Sequence, residues 1–325
     1  MSPQSSIPVA IVTGFLGSGK TTLISRILRD PAFARTAVIV NEFGEIGLDH
    51  ELIASSDETL LALTTGCLCC AVRSDLVATL LDLQRRRDAG EAGYDRVLIE
   101  TSGLADPAPI LHALMTDRDL AERHGLAGVT TIVDTIHGEG TLERHPEARR
   151  QVALADHLLL SKTDLVAPSE ALRERLAALN PEARRESTAD VSPEMLFAGM
   201  MPEREVSADA RHSDGISSFV LQRDRPVPAL ALTLLLEALA EHCGARLLRM
   251  KGLVHIEEMP GQPAVIHGVQ HVFAAPEFLD RWPSRDTTTR IVFITQGVPR
   301  YFPARLLDAI ESEVREELER QPPLR

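Results

Sequence analysis

Residues 14–22 have the sequence Gly14-Phe15-Leu16-Gly17-Ser18-Gly19-Lys20-Thr21-Thr22. An apolar run at residues 7–12 precedes them and predicts a buried strand, and residues 23–28 follow with apolar positions at helical spacing. The spacing G-x-x-x-x-G-K-[ST] is typical of a phosphate-binding loop, in which backbone N–H groups at a helix N-terminus converge on an anion. A strand, this loop and a helix in succession predict an α/β domain that binds a nucleotide.

The residues of this loop have separable roles. Glycines let the backbone approach phosphate because no Cβ intrudes. Lys20 places a point charge on the outer phosphates, so we expect it to act in catalysis, and the Thr21 hydroxyl is suited to hold Mg²⁺. The residues predicted to bind the nucleotide here are Gly14, Gly17, Ser18, Gly19, Lys20, Thr21 and Thr22.

Composition narrows the class of protein. The 325 residues carry a formal net charge of −13, which argues against a nucleic-acid partner because such partners require a basic face. Three of the four cysteines fall within residues 67–70, too close together for a disulfide framework. We see no signal peptide and no apolar run of transmembrane length, so we expect a cytoplasmic protein without a membrane partner.

Strand-like and helix-like stretches alternate as far as about residue 200, which predicts a mainly parallel sheet covered by helices. We assign residues 1–200 to this domain. A helix is predicted over residues 74–87 with Ser74 as its N-cap, and another over residues 169–179. The predicted strands after the first are residues 36–40, 59–63, 96–99, 128–133 and 157–160.

The second part of the chain has a different order of elements. Polar, aperiodic residues predict a linker over 201–215, followed by a smaller α+β domain over 216–325. Several neighbouring strands with few helices favour an antiparallel sheet. The predicted strands are 216–222, 246–256, 264–273 and 289–295, and the predicted helices are 229–243 and 305–320.

An acidic residue follows the strand at 96–99. Glu100 is positioned to hold the magnesium shell or to orient an attacking water, so we predict a catalytic role for it. Gly103 leaves room for its backbone N–H to meet the γ-phosphate. Because ligands of open α/β sheets bind at the carboxyl ends of strands, this segment is expected beside the phosphate loop.

Residues 161–164, Ser-Lys-Thr-Asp, follow the strand at 157–160 and are similar to the guanine-reading pattern N-K-x-D, with Ser161 in place of Asn. A carboxylate at Asp164 accepts hydrogen bonds from N1–H and the 2-amino group of guanine, and adenine offers no such pair. The stem of Lys162 is expected along the base plane. We therefore predict GTP as the nucleotide, with some loss of stringency from Ser161.

Residues 66–70, Gly-Cys-Leu-Cys-Cys, contain thiolates, which are soft ligands suited to zinc and similar ions. The positive end of the following helix favours the thiolate form. Glu42 also follows a strand and is able to reach the same region. The predicted ligands of the transition metal are Glu42, Cys67, Cys69 and Cys70, one strand away from the phosphate loop, with Thr21 as the magnesium ligand.

Together these motifs resemble the CobW-type branch of the P-loop metallochaperone GTPases, a relative of the hydrogenase and urease nickel-insertion GTPases. The resemblance runs through residues 13–22, 41–45, 66–70, 100–107 and 161–164, and through 249–252 and 268–271 of the second domain. It implies GTP hydrolysis coupled to the binding of a transition metal, most often zinc, and its delivery to a client metalloprotein. The expected cofactors are GTP, Mg²⁺ and Zn²⁺, and other transition metals in place of zinc are possible. A homo-oligomer is also possible.

Other classes of function stay open at this point. A regulatory GTPase that does not use metal would make residues 67–70 structural, a small-molecule kinase would transfer phosphate to a bound acceptor, and a scaffold would bind nucleotide without turnover. A second metal site is conceivable because His267 and His271 would share one strand face with His255 on a neighbouring strand. A half-buried polar face is the favoured interpretation of these histidines.

Overall fold

The computed structural model describes residues 6–42, 60–64, 69–197, 210–211 and 215–320. The chain divides into two compact units, Met1–Met201 and Pro202–Arg325, and each is described by itself. The predicted boundaries at 1–200, 201–215 and 216–325 stay a prediction. No helix in the described part of the chain has the length and apolar content needed to cross a bilayer.

The first unit contains a sheet of seven strands in which every pairing is parallel. Their order across the sheet is β3-β2-β4-β1-β5-β6-β7. The strands are β1 Ile7–Gly14, β2 Thr36–Glu42, β3 Leu60–Thr64, β4 Arg96–Thr101, β5 His124–Asp134, β6 His157–Ser161 and β7 Arg184–Ser187.

Helices connect these strands, as a parallel sheet requires. Leu23, Ile24 and Ile27 of the first helix pack on apolar side chains of the sheet, including Val12 and Leu98. The helices are α1 Lys20–Ile27, α2 Cys69–Asp88, α3 Ala108–Thr116, α4 Arg118–Ala121, α5 Gly138–Arg144, α6 Pro146–Leu154 and α7 Glu170–Leu179. The predicted class of the first domain is confirmed.

The second unit is an antiparallel sheet with two long helices, α8 Ala229–Cys243 and α9 Tyr301–Arg320. The order across the sheet is β12-β11-β10-β14-β9-β8, and β13 pairs with β11. The strands are β8 Ala210–Arg211, β9 Ile216–Arg223, β10 Leu247–Val254, β11 Ala264–Val269, β12 Val272–Phe273, β13 Glu277–Phe278 and β14 Thr289–Gln296. This confirms the predicted α+β class.

The start of α2 differs from the prediction. The helix begins at Cys69, so Ser74 is an interior residue and not the N-cap. No Gly or Pro interrupts residues 69–73, and serine costs only a few tenths of a kcal/mol inside a helix, about 0.5 relative to alanine. Cys69 and Cys70 therefore belong to the first turn of the helix.

Three boundaries in the second unit also differ. Ala210 and Arg211 pair with β9, so part of the predicted linker belongs to the sheet; residues 201–209 and 212–214 lie outside the described residues. Helix α9 begins at Tyr301 rather than at residue 305, because Pro303 is tolerated in a first turn. The predicted strand at 264–273 is a hairpin, since Gln270 takes a φ of 54° and reverses the chain.

Strand β7 was not predicted, because its sequence Arg-Arg-Glu-Ser has no apolar alternation. It forms the edge of the sheet beside β6, where polar side chains remain in contact with solvent. The predicted distance between the cysteine motif and the phosphate loop is also wrong. The motif follows β3, and both β2 and β4 lie between β3 and β1.

Candidate functional site

The phosphate loop joins β1 to α1 and is held open by glycine geometry. Gly14 has a φ of 146° and Gly19 a φ of 97°, conformations that L side chains rarely adopt. A Cβ on Gly14 would lie 2.5 Å from the carbonyl oxygen of Ile132 on β5. Gly19 is the N-cap of α1 without a side-chain cap, so the N–H groups of the first turn face the loop and can bind an anion.

Lys20, the first residue of α1, curls back over this loop. Its Nζ donates hydrogen bonds to the carbonyl oxygens of Gly14 at 2.9 Å and Phe15 at 3.3 Å. The ammonium group therefore lies at the opening of the loop, where a bound phosphate chain would meet a positive charge.

Thr21 and Glu100 meet at the neighbouring strand end. The Thr21 hydroxyl donates a hydrogen bond of 2.9 Å to Glu100 Oε1, and Glu100 is only 5% exposed. Register explains the contact, since Val12 of β1 pairs with Glu100 of β4 just before the loop begins. A hydroxyl and a carboxylate side by side are the oxygen ligands that Mg²⁺ prefers, so these two residues fit the predicted magnesium site.

The segment after β4 packs against the phosphate loop. A Cβ on Gly103 would lie 2.7 Å from the backbone nitrogen of Leu16, so only glycine allows this approach. The Thr101 hydroxyl donates to the Thr13 hydroxyl at 2.7 Å and fixes the end of β4 to the end of β1. Gln151 of α6 donates to the carbonyl oxygen of Gly103 at 3.1 Å. Gly103 thus lies where the sequence predicted it, beside the phosphate loop.

The predicted base-reading residues follow β6. The Ser161 hydroxyl donates to the carbonyl oxygen of Ser18 at 2.7 Å, so the residue that replaces Asn still ties this strand to the phosphate loop. Lys162 takes a φ of 59°, and its Nζ donates to Asp134 Oδ2 at 2.5 Å. Asp164 is exposed, which leaves its carboxylate accessible to a ligand.

Asp134 ends β5 and was not predicted as a site residue. Burial alone would raise the pKa of its carboxyl, but hydrogen bonds from Lys162 and Ile136, together with the positive charge of Lys162, lower the pKa below its usual value. Asp134 therefore stays ionised and orients Lys162. Its position after an apolar strand, like that of Glu100, is the sequence signal that would have identified it.

A cavity of about 110 Å³ adjoins the phosphate loop. Its walls come from residues 15–18, the end of β5, Lys162, and helices α5 and α6, which contribute Gln151. Gln151 is fully buried, and nothing in the local sequence marks it as a site residue.

Of the predicted transition-metal ligands, those that the structure describes lie at the end of β2 and after β3, on the far side of β4 from the phosphate loop. Glu42 is the last residue of β2 and pairs with Thr64, the last residue of β3, while Cys69 and Cys70 open α2. Cys67 lies outside the described residues. The side chains of Glu42, Cys69 and Cys70 are also outside what the structure describes, so this ligand set stays a prediction; among the described side chains, no three of His, Cys, Asp and Glu lie close enough together to hold a metal ion.

The prediction of a possible second metal site at His255, His267 and His271 is wrong in one respect. His271 lies in the turn after β11 rather than on the strand that holds His267, so the two do not share a strand face. His255 packs edge-on against Trp282, with ring centroids 5.7 Å apart. The interpretation of these residues as part of a polar face remains the favoured one.

Comparison with known proteins identifies two family domains. Residues 8–186 match the CobW/HypB/UreG nucleotide-binding domain, and residues 216–312 match the cobalamin synthesis protein cobW C-terminal domain. The chain is 36% identical over 308 residues to the zinc chaperone YjiA of Escherichia coli, covering 91% of this chain and 96% of that protein. It is 33% identical over 348 residues to the zinc chaperone CobW of Pseudomonas aeruginosa, covering 91% of this chain and 89% of that protein.

A solved structure agrees with these matches. The crystal structure of Zn(II)-bound YjiA GTPase from E. coli superposes with a TM-score of 0.72 and 31% sequence identity, over 94% of this chain and 99% of that chain. The superposition covers residues of both units and is not limited to the nucleotide-binding domain.

Proposed function

The chain belongs to the CobW family of P-loop GTPases, and on that premise we propose that it hydrolyses GTP and binds zinc for delivery to a client metalloprotein. The observation that carries the proposal is the strand order β3-β2-β4-β1. It puts the end of β2, with Glu42, between the segment after β4 that packs on the phosphate loop and the end of β3 that leads to the cysteine motif. Glu42 of the proposed metal site and Glu100 of the nucleotide site therefore lie on adjacent strands, β2 and β4, an arrangement suited to energetic coupling.

In this proposal the nucleotide phosphates bind at residues 14–22. Gly14, Gly17, Ser18, Gly19, Lys20, Thr21 and Thr22 supply the backbone donors, the ammonium group and the hydroxyls. Lys20 gives up its hydrogen bonds to the loop carbonyls and donates to phosphate oxygens instead. Gly103 lies beside the γ-phosphate. When bound, Mg²⁺ supplies charge neutralisation, and the Thr21–Glu100 pair is the site that would hold it.

The contact with Thr21 favours one of the two roles considered for Glu100. A carboxylate already hydrogen-bonded to the predicted magnesium ligand is better placed to hold the ion's shell than to orient the attacking water. Its burial, at 5% exposure, strengthens the interaction with a cation because the local dielectric is low. We therefore assign Glu100 to the metal shell of the catalytic site.

The guanine base is proposed to bind at Lys162 and Asp164. Ser161 and Asp134 hold this loop from two sides, Ser161 through the Ser18 carbonyl and Asp134 through the Lys162 ammonium group. Asp164 is left exposed to accept two hydrogen bonds from guanine.

Substitution of Asp164 by Asn tests this assignment. Asn offers one acceptor and one donor, which suits the 2-carbonyl group of xanthine and not the 2-amino group of guanine. We expect Asp164→Asn to lower the affinity for GTP by about 10- to 100-fold and to raise the affinity for xanthosine triphosphate. Titration calorimetry with both nucleotides measures the two effects. Asp190→Asn, at another exposed carboxylate of the same domain, should change neither, and an unaltered preference in Asp164→Asn would contradict the assignment.

Zinc is the proposed cargo, with Glu42, Cys67, Cys69 and Cys70 as its ligands. Thiolates suit zinc, and a carboxylate completes a tetrahedral set. The observed start of α2 supports the proposal, because Cys69 and Cys70 belong to the first turn, where the positive end of the helix dipole favours an anionic group.

The substitution Cys69→Ala tests the metal site. We expect zinc affinity to fall by about 10- to 1,000-fold with one ligand lost, while the affinity for GTP stays within about twofold. Competition with a chromophoric chelator measures zinc affinity. Cys243→Ala is the matched control, because Cys243 is a buried residue of α8 in the second unit. Equal zinc affinities for the two variants would contradict the proposed ligand set and favour a GTPase that does not use metal.

The remaining parts of the proposal concern the cellular setting. We propose action in the cytoplasm, where a reducing environment keeps clustered cysteines available for metal. The partners are GTP, the metal ion and a client metalloprotein.

A further inference from the structure

Gln151 is a buried amide that contacts the segment after β4. Its Nε2 donates to the carbonyl oxygens of Gly103 at 3.1 Å and Ala105 at 3.0 Å. Both partners are acceptors, so the amide must present its nitrogen and not its oxygen to the segment. Both N–H groups are therefore directed to this one piece of backbone, and the side chain is 0% exposed.

The segment held by Gln151 is the one that touches the phosphate loop. Gly103 approaches Leu16 so closely that a Cβ would lie 2.7 Å from the Leu16 nitrogen. One end of the segment is fixed by the hydrogen bond from Thr101 to Thr13, and the other by Asp106, whose Oδ1 accepts a hydrogen bond of 2.9 Å from the Ala108 nitrogen at the start of α3. Gln151 holds the part between these anchors, so it controls how near Gly103 lies to the phosphates.

Helix α6, which carries Gln151, contacts both loops that face the phosphates. At its N-terminus, the His145 ring packs against the Phe15 ring of the phosphate loop, with centroids 4.4 Å apart. The Thr131 hydroxyl of β5 donates to the Gln151 carbonyl oxygen at 2.7 Å and fixes the helix to the sheet. The same helix leads into β6 and the predicted base-reading residues. A displacement of Gly103 can therefore be transmitted through Gln151 and α6 to the segment that follows β6.

Packing alone does not account for a glutamine at this position. Gln151 Oε1 is buried and has no hydrogen-bond partner among the described residues. A buried amide with an unpaired oxygen costs free energy that an apolar side chain of similar shape would avoid. The two hydrogen bonds from the amide nitrogen to the segment after β4 offset this cost.

We propose that Gln151 is a positioning residue, which holds Gly103 against the phosphate loop and so lets the protein distinguish GTP from GDP. The inference rests on the proposed function, because it requires the γ-phosphate to lie beside Gly103. In the proposal the β-phosphate is held by residues 14–22, to which the Gln151 amide donates no hydrogen bond, so we expect GDP affinity to depend little on Gln151.

A matched pair of substitutions tests the inference. Gln151→Met keeps the length of the side chain and removes both donors. Asn180→Leu is the control: Asn180 is also buried, at 1% exposure, and its amide donates to the Val152 carbonyl oxygen at 2.9 Å and the Ala155 carbonyl oxygen at 2.8 Å. Both variants remove amide donors to backbone carbonyls, but only Gln151 donates to the segment after β4.

We expect Gln151→Met to lower kcat for GTP hydrolysis and the affinity for a non-hydrolysable GTP analogue by about tenfold each, with GDP affinity within about twofold. Asn180→Leu should lower the melting temperature by a similar amount and leave the ratio of analogue to GDP affinity unchanged. An unchanged ratio in Gln151→Met, or an equal change in both variants, overturns the inference.

A second variant covers the case in which Gln151→Met does not fold. Gln151→Glu keeps the size of the side chain and retains one donor while its carboxyl is protonated. We expect its kcat, relative to that of the unsubstituted protein, to fall as the pH rises from about 5.5 to about 8, because the carboxyl loses its proton. If kcat of Gln151→Glu and of the unsubstituted protein change with pH in the same way, the inference is overturned. If the unsubstituted protein binds neither nucleotide, the proposed function fails and the inference with it. If it binds both nucleotides and the Gln151 variants behave like Asn180→Leu, the inference fails while the proposed function stands.

Discussion

Replacing Gly14 by Ala is expected to lower the affinity for GTP and GDP by about 100-fold or more. The added Cβ would lie 2.5 Å from the Ile132 carbonyl oxygen and 2.7 Å from Ser18 Oγ, and the backbone φ of 146° is one that alanine rarely adopts. Because Ile132 belongs to the central strand β5, the loop must move rather than the strand. The phosphate-facing N–H groups then lose their common direction, and the free energy of unfolding falls by about 1–3 kcal/mol.

Gly90→Ala is the matched control for this substitution. Gly90 also has a positive φ, 75°, but the space that its added Cβ would occupy is open, with no atom of a non-neighbouring residue within 4 Å. It follows α2 rather than the phosphate loop, so the substitution should cost about 1 kcal/mol of stability and leave nucleotide affinity unchanged. Fluorescent GDP titration and thermal unfolding measure both quantities. If Gly14→Ala binds GDP as tightly as Gly90→Ala does, the phosphate loop has been placed wrongly.

Replacing Lys20 by Ala is expected to lower kcat for GTP hydrolysis by about 100- to 1,000-fold. The Lys20 ammonium group lies at the opening of the loop, 2.9 Å from the Gly14 carbonyl oxygen, and no other group of the loop carries a positive charge. Without it, charge that develops on the phosphate oxygens has one fewer stabilising partner. The fold should be little affected, because the two hydrogen bonds lost are local to the loop and join Lys20 to Gly14 and Phe15.

The control for Lys20→Ala is Arg29→Ala, which removes one positive charge from an exposed residue just after α1. A phosphate-release assay at saturating GTP compares the two variants. We expect Arg29→Ala to keep kcat within about twofold, since surface charges contribute little. Similar rates for Lys20→Ala and the unsubstituted protein would remove Lys20 from the catalytic role.

Features set by short stretches of sequence were predictable. The phosphate loop needs glycines and a lysine at fixed spacing within residues 14–22, and α8 was predicted with its observed bounds from one apolar stretch. The ends of β4 at Thr101 and of β6 at Ser161 lie within two residues of the predicted ends, because apolar runs stop at polar residues there. In each case the deciding interactions lie within a few residues of one another.

Features set by distant contacts were not predictable. Gln151 is recognisable only once α6 is packed beside Gly103, which is far away in sequence. The turn at Gln270 uses a non-glycine residue with positive φ, so no glycine or proline marked it. The number of strands between the cysteine motif and the phosphate loop depends on sheet order, which local patterns do not contain.

The observed strand order also changes the expected route of coupling. The cysteine motif and the phosphate loop are separated by β2 and β4, whose ends carry Glu42 and Glu100. Asn41 of β2 pairs with Thr101 of β4, and Thr101 is bonded to Thr13 just before the phosphate loop. Any change that GTP produces after β4 is therefore expected to reach Glu42, at the end of β2, before it reaches the proposed cysteine ligands.

The most direct test of the central claim is zinc affinity measured by chelator competition with the protein bound to GDP or to a non-hydrolysable GTP analogue. Coupled sites predict that the two affinities differ by about fivefold or more, and that zinc changes the ratio of analogue to GDP affinity by the same factor. Equal zinc affinities in the two nucleotide states would contradict the claim that the phosphate loop controls a metal site.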